Sequence, residues 1–144
     1  MKSKVDEINK ILNSRKFDII SLNETKLDEN TPDIFKSNFY NFIRRDRTSH
    51  GGGLLIFIRL EYKIVCQEIY NDYEIIFFQL LINGSLNNFI SCYNPHTKFT
   101  KDLLNYLENV ILLKIDLKLN LFIVGDFNND FLSLELNLMQ YFLI

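Results

Sequence analysis

The chain has 144 residues, of which 47% are hydrophobic and 24% charged, and its net charge is −2. That is about one domain's worth of chain, with enough apolar material to bury a core, so a disordered polymer is excluded. The charge balance excludes a generally basic coat protein, and any nucleic-acid role has to come from a local basic patch.

Residue usage is skewed. There is no alanine and no tryptophan, against 17 asparagines, 18 isoleucines, 22 leucines and 13 phenylalanines. Residues with AT-rich codons are favoured, so nucleotide bias in the source genome accounts for the excess. The few glycines, prolines and histidines therefore carry more information than any single Ile or Asn.

Met1 to Glu7 carries charges with no apolar stretch behind them, unlike a secretory signal. From Val5 to Lys16 the apolar residues Val5, Ile8, Ile11 and Leu12 form a helical stripe. Phe17 to Leu22 reads as a short buried strand ending at Asn23-Glu24-Thr25. A helix feeding directly into a buried strand implies an α/β layer structure. Asp28 to Asn41, with Pro32, reads as a loop and a short turn of helix. Arg44-Arg45-Asp46-Arg47 is the densest charge cluster, and it runs through Ser49 and His50 into Gly51-Gly52-Gly53. Strands are expected over Leu54–Arg59, Ile64–Ile69, Tyr73–Ile82 and Asn88–Tyr93, as an antiparallel meander. Asn83-Gly84 signals a type I′ hairpin turn. Lys98 to Leu119 reads as a helix, with Leu103, Leu104, Leu107, Val110 and Ile111 on one face. Leu121–Val124 is a second short strand, ending at Gly125-Asp126-Phe127-Asn128. The tail from Phe131 to Ile144 finishes on bare hydrophobics, which implies something covers them.

Two cysteines, Cys66 and Cys92, make neither a disulfide scaffold nor a zinc motif. Both fall in apolar runs and read as reduced core residues of an intracellular, unsecreted protein, the nucleus included. No apolar run reaches the length of a membrane span, so no membrane partner is expected.

Three polar residues share one placement. Glu24, Tyr93 and Asp126 each stand at the end of an apolar strand, where sites of α/β sheets gather. Two carboxylates converging there suit a hard divalent cation, which needs only one or two protein carboxylates besides water. Asn128 adds an amide two residues after Asp126. The bland alternatives are a helix N-cap for each carboxylate and turn packing for Tyr93 beside Asn94-Pro95. Gly51–Gly53 lacks the spacing and the lysine of a phosphate loop and reads as a flexible entry into a strand. Arg44, Arg45 and Arg47 form either a solvated loop or a contact for a phosphate backbone. His50 and His96 have no partner spacing for a metal or a triad.

Taken in order, these segments resemble the endonuclease/exonuclease/phosphatase superfamily. The carriers are Asp18-Ile19-Ile20-Ser21-Leu22-Asn23-Glu24-Thr25-Lys26-Leu27, Arg45-Asp46-Arg47 with Gly51-Gly52-Gly53, Cys92-Tyr93-Asn94-Pro95, and Gly125-Asp126-Phe127-Asn128. Within that superfamily they look most like the apurinic-type endonuclease domain of non-LTR retrotransposons. The resemblance implies a two-sheet, helix-flanked α/β sandwich with mixed and antiparallel strands. It implies Mg²⁺-dependent (or Mn²⁺-dependent) hydrolysis of DNA phosphodiesters. Glu24 matches the metal-binding glutamate, and Asp126 the aspartate that orients the attacking water. Asn128 and Tyr93 match groups that hold the scissile phosphate, and Arg44, Arg45 and Arg47 would meet the DNA backbone.

The chain also departs from the family pattern. The family places an asparagine-bearing strand before the first helix and an aspartate–histidine pair in its last third. This sequence begins at that helix, and no histidine follows Asn128. The expectation is one incomplete domain over residues 1–144, with weak or absent nuclease activity and self-association through uncovered apolar surface. The alternatives are a non-catalytic retroelement remnant that binds nucleic acid or a partner, and a superfamily phosphatase acting on a lipid head group.

Overall fold

The computed structural model describes residues 4–35, 37–48, 50–95 and 100–128. The elements are α1 (Val5–Ser14), β1 (Ile19–Asn23), β2 (Tyr40–Arg45), β3 (Leu54–Arg59), β4 (Lys63–Tyr70), β5 (Glu74–Ile82), β6 (Ser85–Tyr93), α2 (Thr100–Tyr106) and β7 (Asn120–Asp126). One sheet has the order β1-β3-β2, both pairs antiparallel. The other has the order β4-β5-β6-β7, in which β7 joins β6 in parallel and the remaining pairs are antiparallel. A parallel pair needs a crossover, and α2 lies on it.

Strand alternation assigns each apolar side chain to a layer. Leu54, Ile56 and Ile58 of β3 face the second sheet, where they join Ile76, Phe78, Leu80, Phe89 and Tyr93. Leu55 and Phe57, on the opposite face of β3, pack with Ile8 and Leu12 of α1. Ile75, Phe77, Ile90 and Cys92 pack outward against Leu103, Leu104, Leu107 and Ile111. The stack is therefore helix, sheet, sheet, helix, the α/β sandwich expected. The inner strands β3 and β5 are covered on both faces, so Leu54–Ile58 and Ile75–Phe78 read as continuous apolar runs.

Several local expectations need correction. Tyr40 to Arg45, placed partly in a loop and partly in a charge cluster, is strand β2; its apolar alternation is weak, and pairing with β3 decides it. The meander is split, because β3 and β4 belong to different sheets. The second helix does not reach Leu119. After Tyr106 it widens into a π-helical stretch, Leu107–Leu112, where the Asn109 side chain donates to the Asn105 carbonyl at 2.8 Å and competes with the backbone. The stretch ends at Leu112, and beyond it Asp116 accepts from the Lys118 N–H at 2.9 Å, an Asx turn that leads into β7. Cys66 is exposed, whereas Cys92 is buried. Cys66 lies on β4, an edge strand whose register shifts between Ile64 and Cys66, and that bulge undoes the alternation. The turn at Asn83-Gly84 has φ of 50° and 79°, as a type I′ turn requires.

Two features prepare the site. Ser21 of β1 and Ser91 of β6 hydrogen-bond across the sandwich at 2.7 Å, which ties one sheet to the other below the strand ends. On β7, Phe122 and Val124 remain 47% and 42% exposed, although Phe122 stacks on Phe89 with ring centroids 4.9 Å apart. The tail from Phe131 to Ile144 lies outside the described residues, as do Ser49 and His96.

Candidate functional site

Register brings three polar residues into one row. Glu74 at the start of β5 pairs with Tyr93 at the end of β6, and Tyr93 pairs with Asp126 at the end of β7. β1 reaches the same edge from the other sheet, tied by Ser21 and Ser91, and Glu24 is the first residue beyond it.

A strap of glycines shapes the turn that carries Glu24. Glu24 and Lys26 both take left-handed backbone conformations, with φ of 53° and 54°. The Thr25 N–H donates to the Gly53 carbonyl at 3.2 Å, and the Lys26 N–H to the Gly52 carbonyl at 2.9 Å. Glycine is required at both positions. Their φ values are +77° and +94°, and a Cβ on Gly52 would lie 2.5 Å from Arg47 Cδ and Glu74 Oε1. On Gly53 it would lie 2.5 Å from Thr25 Oγ1. The segment read from sequence as a flexible entry is thus a fixed clamp at Gly52 and Gly53.

Each expected residue can now be placed. The Glu24 carboxylate is about half exposed and pairs with Lys26 at 3.6 Å. Asp126 is exposed, and its Oδ1 accepts the Asn128 N–H at 2.9 Å, an Asx turn rather than a helix cap. Asn128 has φ of 48° and donates from Nδ2 to the Asn94 carbonyl at 2.7 Å. The Asn94 N–H in turn donates to the Asp126 carbonyl at 2.8 Å, so the loops after β6 and β7 are laced together.

Tyr93 is buried to 7% exposure. Its phenol is held above the ordinary tyrosine value, first by burial and then by the negative charges of Glu24, Glu74 and Asp126, with Arg47 pulling the other way. All three carboxylates thus lie within electrostatic reach of one phenol. Being raised, it stays protonated at neutral pH and keeps its O–H available as a donor.

The arginines separate. Arg44 is committed to Asp46 at 2.6 Å, to Asp33 at 3.0 Å and to the Thr31 and Asp28 carbonyls. The bond from Asp46 is the main reason that its guanidinium is raised. Arg45, next along β2, points to the other face. It donates to the Tyr70 and Asn71 carbonyls and pairs with Glu74 at 3.6 Å. Burial lowers its guanidinium against the pull of Glu74. Arg47 is 46% exposed, pairs with Glu74 at 2.8 Å, and stands within electrostatic reach of Tyr93. Arg44 and Arg45 are therefore anchored to protein groups, and Arg47 alone of the three lies at the site with substantial exposure. His50 is exposed on the turn between Thr48 and Gly51.

Sequence reasoning missed Glu74. Its carboxylate is 6% exposed and accepts from the Gly53 N–H as well as pairing with Arg45 and Arg47. The available signal was a carboxylate directly before the apolar run Ile75-Ile76-Phe77-Phe78.

Burial next to the site has a pH consequence. Cys92, one residue before Tyr93, has its thiol pushed up from an ordinary 9 to about 12 by burial. Groups raised in the fold bind protons more tightly there than in the unfolded chain. Stability is therefore expected to be full below about pH 9 and to fall as pH rises toward about 12. Urea midpoints at about pH 7.5, 9 and 10.5 check this, and a flat profile contradicts it.

The donors around Tyr93 are all oxygen, which suits a hard cation. The Asn23 side-chain oxygen, adjacent to Glu24, is buried without a hydrogen-bond partner. No group of three or more His, Cys, Asp or Glu placed to hold a metal occurs among the described residues. The residues fit a Mg²⁺-like ion that keeps much of its water shell, and do not fit a closed cage.

Comparison with known proteins agrees with this architecture. The sequence model of the endonuclease/exonuclease/phosphatase family matches residues 1–142. Among solved structures, D. rerio TDP2 humanized by 14 mutations superposes with a TM-score of 0.68, at 14% identity over 91% of this chain and 61% of that one. D. rerio TDP2 complexed with single strand DNA product gives 0.65, at 14% identity over 96% and 57%. The human Nocturnin catalytic domain with bound sulfate anion gives 0.60, at 17% identity over 90% and 58%. These likenesses speak for the fold, and this chain spans about six-tenths of each of those chains. No curated protein matches the chain.

Proposed function

The chain belongs to the endonuclease/exonuclease/phosphatase family, and from that premise we propose that its site hydrolyses phosphodiester bonds in DNA with the help of Mg²⁺ or Mn²⁺. The carrying observation is the convergence of Glu24, Tyr93 and Asp126 on one edge of the sandwich, with the phenol sensing both carboxylates.

The chemistry has three requirements, and the residues divide them. Glu24 would hold the cation through its carboxylate, with water completing the shell. When bound, such a cation neutralises charge on the phosphate oxygens. Asp126 orients a water and takes its proton. Tyr93 donates from its protonated phenol to a phosphate oxygen, and Asn128 has a second amide N–H for the same group. Arg47 attracts the anionic backbone. The row Glu74, Tyr93, Asp126 contains no imidazole, and Tyr93 or water is available to deliver a proton to the leaving oxygen. Turnover by this chain is expected to be slow, because a phenol raised above its ordinary value is a weak proton donor and a well-matched general acid is worth about 10²–10⁴-fold.

DNA is favoured as substrate by the Arg47 charge at the site and by the likeness to a TDP2 whose complex holds single strand DNA product. Within the family, we read the Glu24-Thr25-Lys26-Leu27 turn and the Gly51-Gly52-Gly53 segment as those of a non-LTR retrotransposon endonuclease. Residues 1–144 then form part of a larger domain, in keeping with the six-tenths span, and work inside the cell, the nucleus included. Exposed Phe122 and Val124 favour self-association of the isolated chain.

Nicking of supercoiled plasmid with the protein in excess over DNA tests the reading. Slow, Mg²⁺-dependent relaxation is expected, with Glu24→Ala reducing it to background. Relaxation that survives Glu24→Ala overturns the assignment. Absence of both cleavage and calorimetric Mg²⁺ binding favours the non-catalytic remnant instead.

A further inference from the structure

We propose that Glu74 is the positioning residue of this site, a buried carboxylate that fixes both the Glu24 turn and the Arg47 guanidinium relative to Tyr93. The inference rests on the reading of the site as a phosphodiester-hydrolysing centre.

Glu74 is a shared node. Its carboxylate is 6% exposed, accepts two hydrogen bonds from two separate segments and pairs with a second guanidinium. The Gly53 N–H donates to Oε2, Arg47 donates to Oε1 at 2.8 Å, and Arg45 pairs with Oε2 at 3.6 Å. Through Gly53 the connection continues outward. The Gly52 and Gly53 carbonyls accept the N–H groups of Lys26 and Thr25, which hold the left-handed turn bearing Glu24. Through register, Glu74 is also the neighbour of Tyr93, and Tyr93 of Asp126. One side chain thus connects the clamp, the basic group and the strand-end row.

Electrostatics favours this role over a purely structural one. A buried carboxylate is costly unless paired, and one guanidinium would suffice for pairing. Here two guanidiniums meet one carboxylate, so this group of three is left with one excess positive charge. Arg45 is buried beside the Tyr70 and Asn71 carbonyls, whereas Arg47 is 46% exposed. The excess charge therefore has its outlet at Arg47, in the neighbourhood of Tyr93, where a phosphate would sit. Orienting partners of this kind hold a working group in one rotamer, and their loss typically costs about 10–100-fold in binding or activity.

The test uses Glu74→Gln, Glu74→Asp and Arg47→Ala in the full chain. Gln keeps the shape and an acceptor but removes the charge; Asp keeps the charge and shortens the reach by one methylene. Amide hydrogen exchange reads the Glu24 turn without any need for activity. Both Glu74 variants are expected to raise exchange at Thr25, Lys26 and Gly53 by about 10-fold or more, while β5 and β6 stay protected. Arg47→Ala is expected to leave those three amides unchanged. Fluorescence anisotropy with a single-stranded oligonucleotide reads the Arg47 arm. Glu74→Gln and Arg47→Ala are each expected to weaken binding by about 10-fold, and the double variant no further than Arg47→Ala alone. Unchanged exchange at Thr25 and Lys26, or binding losses that simply multiply, overturns the proposal. If Glu74→Gln fails to fold, Glu74→Asp decides on the exchange arm. If the parent chain neither binds nor nicks DNA, the nuclease reading fails, and the exchange result still decides whether Glu74 sets the turn.

Discussion

Asp126→Asn is expected to lower the plasmid-nicking rate by at least about 100-fold, with no change in the urea midpoint. Asparagine retains an Oδ1 that can accept the Asn128 N–H, so the loop after β7 keeps its 2.9 Å hydrogen bond. What disappears is the carboxylate that would accept a proton from water. The single-turnover rate, measured alongside the denaturation curve, separates the two effects. A rate within a few-fold of the parent, at equal stability, removes Asp126 from the chemistry. A fall in both rate and stability would mean that the Asx turn, not the charge, is what Asp126 supplies.

Gly125→Ala is expected to be the most disruptive single substitution in the described part of the chain. Gly125 has φ of +154°, and a Cβ built there falls 1.8 Å from the Cys92 carbonyl oxygen and 2.8 Å from the carbonyl carbon. Those atoms are backbone of β6, the strand that β7 pairs with in parallel. No rotamer can relieve the overlap, so the two strands must part. Overpacking commonly costs about 1–3 kcal/mol, and an unfavourable φ adds about 1–3 kcal/mol more. A loss of about 3 kcal/mol or more is therefore expected from urea denaturation, together with loss of activity because Asp126 is the next residue. A loss below about 1 kcal/mol would show that the strand edge yields more readily than its geometry implies. The glycine of Gly-Asp-Phe-Asn is thus needed for contact, since it lets the aspartate strand approach the tyrosine strand closely.

Much of the fold was legible because its cues are local. The α1 stripe, the runs at β3 and β5, and Asn83-Gly84 each declare themselves within a few residues. Glu24, Tyr93 and Asp126 were legible as candidates for the same reason, each being polar directly after an apolar strand. What was hidden depends on pairing. β2 has little periodicity of its own and exists because β3 has an open edge. Cys66 escapes the core through a bulge that only the β4–β5 register reveals. The three neighbouring arginines look equivalent in sequence, yet strand alternation turns Arg44 toward Asp33 and Asp46 and Arg45 toward the Tyr70 carbonyl. Arg47, just beyond the strand, is left to Glu74. Glu74 lies 27 residues from Arg47 along the chain, and no pattern in either segment points to the other.

By itself the sequence determined the class of fold, the place of every strand but β2 along the chain and the residue types that end three of them. Those follow from side-chain volume, alternation and turn chemistry, which act over a few residues. Tertiary structure alone decided which strand ends share an edge, which arginine keeps an exposed charge, and why two of three glycines are obligatory. These depend on close approach between segments far apart in sequence: a carbonyl where a Cβ would be, or one carboxylate between two guanidiniums. Such contacts are set by register and layer packing, and they exist only once both sheets are in place.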